Sequence, residues 1–111
     1  MSNPVILICT KCRGPEAAAE MRRALGPLVP DGTRFRPVEC LAGCDHPTAV
    51  GYQADSKASY LFGGIESAEE IAAIGAFAWQ YAAHETGWTS SSERPPALKG
   101  KVLARLPGLK A

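Results

Sequence analysis

Four cysteines are the residues best equipped for chemistry, and they come as two close pairs, Cys9-x2-Cys12 and Cys40-x3-Cys44, with none left over. Thiolates brought together repel one another and need a cation or a cluster to neutralise them. Four convergent thiols therefore suit a [2Fe–2S] cluster, a [4Fe–4S] cluster or tetrahedral zinc. A four-cysteine zinc site usually has two tight Cys-x2-Cys knuckles, and only the first pair has that spacing. Gly43, inside the second pair, permits close approach of backbone amides to sulfur. A third chemistry is thiol–disulfide exchange by Cys9 and Cys12, with Pro47 facing the dithiol. Such an enzyme has no use for Cys40 and Cys44 at the same place, and Pro47 also serves simply to end a loop and start a strand. Thiol exchange thus ranks behind iron–sulfur and zinc.

The cysteines need elements that bring them together. Pro4 to Cys9 is a short apolar run rich in branched side chains, which predicts a buried strand ending on a cysteine. Pro15 and Glu16 open a helix that runs to Leu25 and stops at Gly26-Pro27. Arg34 to Cys40 alternates charged and apolar residues and predicts a second strand, again delivered to a cysteine, with Pro37 marking a sheet edge. Thr48 to Gln53 and Ala58 to Ile65 predict a hairpin joined by Ala54-Asp55-Ser56-Lys57. Ser67, with Glu69 and Glu70 behind it, caps the longest helix, which runs to about His84 and ends near Gly87. Ile71, Ile74, Gly75, Ala78, Tyr81 and Ala82 share one face of it, flanked by Phe77 and Trp79. That arc is wider than a sheet-facing stripe requires, so its flank is a candidate contact with a second copy of the chain.

The order is strand, helix, strand, strand, strand, helix. A right-handed crossover makes the first two strands parallel, the hairpin is antiparallel, and both cysteine loops emerge at one end of the sheet. The expected fold is α/β and thioredoxin-like, with a mixed four-stranded sheet carrying two main helices. Residues 1–88 form the cluster-binding domain. Residues 89–111 form an extension that packs back through the Val and Leu residues of Lys101–Pro107.

At 111 residues, 46% hydrophobic and 21% charged, the chain can build a core without help from its cysteines. Its start has no basic leader and no long apolar stretch, and no run approaches a membrane span, so a cytoplasmic protein outside the membrane is expected. In that compartment close cysteine pairs are ligands or redox thiols before they are disulfides. Charge is uneven: from Glu93 onward five basic residues oppose one acid, net +4, while the rest of the chain has seven basic and ten acidic residues, net −3. Without interleaved aromatics or a long basic run, that segment is a solvated tail over an acidic body, and no nucleic acid is expected.

Of the other polar residues, His46 stands two after Cys44 and is expected beside the ligands rather than among them, since four cysteines complete the set. His84 suits a helix end. Lys11 and Arg13 flank Cys12 as loop charges. Tyr52, Tyr60, Trp79, Tyr81 and Trp88 are expected in the core and at interfaces. No Gly-rich phosphate loop, paired carboxylates or nucleophile–base arrangement stands out.

Cys40-Leu41-Ala42-Gly43-Cys44-Asp45-His46-Pro47 resembles the Cys-Leu-Gly-x-Cys-Asp-x-x-Pro loop of thioredoxin-like [2Fe–2S] proteins, the Shethna-type ferredoxins and the small iron–sulfur subunit of respiratory complex I. Nearly the whole chain is similar to a bacterial family of unknown function described as predicted metal-binding proteins. Ile8-Cys9-Thr10-Lys11-Cys12-Arg13, the Cys40 loop, Lys57-Ala58-Ser59-Tyr60-Leu61-Phe62-Gly63, and Arg94-Pro95 through Arg105-Leu106-Pro107 carry that likeness. The ferredoxins place more residues between their first two cysteines than this chain does. The resemblance implies a [2Fe–2S] cluster on Cys9, Cys12, Cys40 and Cys44, with zinc as the alternative occupant. It also implies an electron carrier rather than an enzyme, meeting a redox partner protein, and a homodimer.

Overall fold

A computed structural model describes residues 4–11, 13–39, 48–90 and 92–108. The apolar run after Pro4 forms β1 (Val5–Cys9), and α1 (Pro15–Leu25) follows with Pro15 in its first turn. After a 3-10 turn at Gly26–Leu28 come β2 (Arg34–Val38), β3 (Val50–Gln53) and β4 (Ser59–Phe62). The second helix, α2 (Ala68–Ala83), starts at Ser67 with a complete capping box: Ser67 Oγ accepts from Glu70 N–H at 3.1 Å, and Glu70 Oε1 accepts from Ser67 N–H at 2.9 Å. A further 3-10 turn at Pro96–Leu98 leads into β5 (Val102–Leu106).

The sheet has five strands in the order β2-β1-β3-β4-β5, one more than expected from sequence. As expected, β1 and β2 are parallel and β3 and β4 antiparallel, and β2, with its Pro37, lies at an edge. The extra strand corrects the reading of the C-terminal segment. Residues 102–106 pair antiparallel with β4, and their own leucines do not anchor them: Leu103 and Leu106 are 37% and 61% exposed. Leu98, in the turn before β5, is the fully buried anchor.

Strand alternation sends Ile6 and Ile8, Val50 and Tyr52, and Tyr60 and Phe62 to one face, where both helices pack. Phe77 of α2 sits among the rings of Tyr52, Tyr60, Phe62 and Tyr81, with centroids 4.9 to 6.1 Å away. These edge-on and tilted contacts give the core a fixed packing beyond area burial. Each tyrosine satisfies its hydroxyl on a backbone carbonyl: Tyr52 on Ile74, Tyr60 on Gly87, Tyr81 on Ala58, all at 2.6–2.7 Å. Burial without a charged partner pushes the Tyr52 phenol well up.

Phe77 is therefore a core residue and not a flank of the α2 arc. Part of the arc's width is used within the chain. Gly75 lets the Leu28 turn approach so closely that a Cβ there would lie 2.7 Å from Leu28 Cβ. Trp79 remains 59% exposed and donates its indole N–H to Leu28 O at 3.0 Å. His84 closes α2 in a way not foreseen from its position, accepting at Nδ1 from Gly87 N–H at 3.1 Å. Gly87 itself has φ +72°, and a Cβ on it would meet the Tyr81 ring at 2.8 Å.

Candidate metal centre

Cys9 ends β1 on the sheet face turned away from the helices, sharing the parity of Val5 and Leu7, and is 1% exposed. Its register partner in parallel β2 is Val38. The strand ends are tied together at this point: Thr10 N–H and Thr10 Oγ1 both donate to Val38 O, at 2.8 and 3.1 Å. The Cys9 Sγ approaches Glu39 O at 3.6 Å, the length of a sulfur hydrogen bond. On its other side Cys9 N–H donates to Ala49 O at 3.1 Å, just before β3 begins.

Both flanks of the Cys40–Pro47 segment thus rest on Cys9. The chain passes Glu39 on one side of the cysteine and returns through Thr48, 3% exposed, and Ala49 on the other. Ile65 N–H donates to Thr48 O at 3.2 Å, fixing that return to the segment leading into α2. Cys12, Cys40 and Cys44, together with Gly43, His46 and Pro47, lie outside the described residues. Among the described residues no group of three or more His, Cys, Asp and Glu is gathered for a metal.

The charges around this end are largely matched. Arg13, expected as a loop cation beside Cys12, forms an ion pair with Glu66. Lys101 meets Glu70 Oε2 at 2.8 Å and Gly64 O at 3.0 Å. The Lys101 hydrogen bond above all, helped by the Ser67 and Glu66 N–H groups, holds the Glu70 carboxyl at about 2. Lys11 is exposed. A cavity of about 680 Å³ lies at the opposite ends of the strands, against Val5, Arg34, Ser59 and Leu106, and Cys9 is not among the residues that line it.

Sequence reading singled out Cys9 and its neighbouring charges but not Thr10, Glu39 and Ala49, which hold the strand ends around it. Two of these act through backbone carbonyls, which any residue supplies, so no side-chain pattern announces them. Thr10 carries a weak signal: a β-branched hydroxyl directly after Cys9, where it can bridge two strand ends.

This five-stranded sheet, with two helices on one face, has a match among known proteins. It is similar to the structure of a thioredoxin-like [2Fe–2S] ferredoxin from Aquifex aeolicus, with a TM-score of 0.52 and 12% identity over 99% of this chain and 100% of that one. At that identity the likeness is one of fold. The chain itself belongs to the family described as "Protein of unknown function (DUF1636)", whose model matches residues 6–108. No curated protein matches it. No helix among the described residues is long and apolar enough to cross a membrane.

Proposed function

We propose that this protein carries electrons through one [2Fe–2S] cluster held by Cys9, Cys12, Cys40 and Cys44. The observation that carries this reading is the anchoring of both Glu39 and Ala49 to Cys9. Cys40 is the next residue after Glu39, and Cys12 follows Cys9 by three. The donor set fits the group: four thiols, with Cys9 buried beside backbone that can shield sulfur from water. When bound, the cluster supplies reversible one-electron exchange. The chain's own part is to hold Cys9 rigid at a strand end, and to order the loop's flanks through the Thr10, Glu39 and Ala49 contacts. The fold likeness to a [2Fe–2S] ferredoxin supports the choice of cluster. The partner in this reading is another redox protein that approaches the cysteine end.

A homodimer belongs to the same proposal. The two sheet edges differ: β2 carries Arg34, Arg36 and Pro37, whereas β5 has no proline and exposes Leu103 and Leu106. Antiparallel pairing of β5 with its copy would cover those leucines. Zinc at the same four cysteines is the second reading, because the short Cys9-x2-Cys12 spacing is that of a zinc knuckle. Substituting each cysteine in turn, with iron, sulfide and zinc counted, tests the cluster against zinc. The cluster reading expects iron and colour to fall at every one of the four positions.

A further inference from the structure

The C-terminal segment brings two guanidinium groups onto one carbonyl oxygen. Arg94 Nη1 donates to Thr89 O at 3.1 Å and to Thr89 Oγ1 at 3.2 Å, and Arg105 Nη1 donates to the same Thr89 O at 2.8 Å. Two nitrogens that share one acceptor so closely cannot lie farther apart than about 6 Å, where like charges repel unless an anion offsets them. Among the described residues neither guanidinium meets a carboxylate at ion-pair distance, and Glu66 and Glu70 are engaged by Arg13 and Lys101. Glu93 adjoins Arg94 in the chain and feels its charge, but its Oε1 accepts from Ser90 N–H at 3.1 Å and Ser90 Oγ at 3.0 Å.

Nor are the two arginines loose. The Arg105 guanidinium carbon lies 3.7 Å from the centroid of the Trp88 ring, and that of Arg94 lies 6.0 Å from Tyr60's. Their common acceptor, Thr89, is fully buried and tied to Tyr60 Oη at 2.9 Å. A guanidinium has five N–H donors. Thr89 uses one nitrogen of each arginine, so both keep Nη2 and Nε for a ligand as far as the described residues go. Arg94 also lines a cleft of about 340 Å³ with Leu98, Lys99, Gly100 and Val102, and Lys99 is exposed there without an ion-pair partner among the described residues.

We propose that this cleft binds the phosphoryl group of a small molecule, gripped by the spare donors of Arg94 and by the Lys99 ammonium, with the Arg105 guanidinium beside Arg94 on Thr89 O adding positive charge. Two cations on the cleft and a third beside Arg94, with no carboxylate at ion-pair distance among the described residues, match a phosphate dianion better than a single carboxylate, and a guanidinium fork suits its oxygens. The site is independent of the cysteine centre.

The test is NMR titration of the full-length protein with inorganic phosphate at constant ionic strength, following the Trp88 indole and arginine Nε signals. Acetate serves as the control anion, and phenyl phosphate as a second probe. Saturable shifts with phosphate, absent with acetate, are expected. Lys99→Ala should weaken them about tenfold while leaving the melting temperature unchanged, the loss of one charge-assisted contact. Tighter binding of phenyl phosphate would identify a phosphomonoester, and equal binding would identify free phosphate. No saturable shift, an equal response to acetate, or unaltered affinity in Lys99→Ala would overturn the proposal.

Discussion

Cys9 is the described residue on which the proposed chemistry depends, and its neighbours hold it through backbone rather than through side-chain chemistry. Replacing any one of Cys9, Cys12, Cys40 or Cys44 by Ser should strip the visible absorption and bound iron. A dithiol enzyme would lose activity only at Cys9 and Cys12, so the four single variants separate the two chemistries. Ser67 offers a second test. Ser67→Ala removes the acceptor for Glu70 N–H and should cost about 1 kcal/mol in urea unfolding. Glu70 adds a pH signature. Its folded carboxyl is held at about 2 against an ordinary 4.5, so its contribution is present above 4.5 and is lost as pH falls toward 2. The stability gap between wild type and Glu70→Gln should therefore narrow over that window; a constant gap would show that Lys101 and the cap do not act through the charge. The Ser67 cap was legible as a spacing along the chain. The Cys9 contacts to Glu39 and Ala49 were not, because carbonyl acceptors leave no mark in residue type.

At the scale of elements, most of the architecture follows from local pattern: an apolar β-branched run, a proline-started helix, a hairpin with turn residues and a capped helix. What local pattern did not give was β5. Its five residues take their strand state from pairing with β4, and two of its three leucine-or-valine positions are solvent-facing, so no alternation toward a core marks it. Gly75 is the same lesson in α2. It was placed on the apolar face, yet its function is set by the Leu28 turn across from it, a contact between segments distant in sequence. Gly75→Ala should destabilise by about 1–3 kcal/mol, through overpacking against Leu28. The double variant with Leu28→Gly, which removes the Cβ met at 2.7 Å, should lose less than the sum of the two single losses. Additive losses measured by chemical unfolding would show that the two positions do not meet.

For the whole molecule, one aromatic core on one face of the sheet leaves the opposite face and the β5 edge without a helix among the described residues. If β5 pairs with its copy, sedimentation should give a dimer for the wild type and a monomer for Leu106→Lys, with the fold unchanged by circular dichroism. A wild-type monomer across a concentration series would remove the dimer. The acidic body and basic C-terminal segment now have a physical arrangement: Lys101 neutralises Glu70, while Arg94 and Arg105 close over Thr89. The cysteine end decides between cluster and zinc. The protein is purified without oxygen, its visible spectrum recorded, and iron, acid-labile sulfide and zinc are counted per chain. The cluster account predicts a brown protein with about two irons and about two sulfides, bleached by dithionite. A colourless protein holding about one zinc, unchanged after attempted cluster reconstitution, would contradict it.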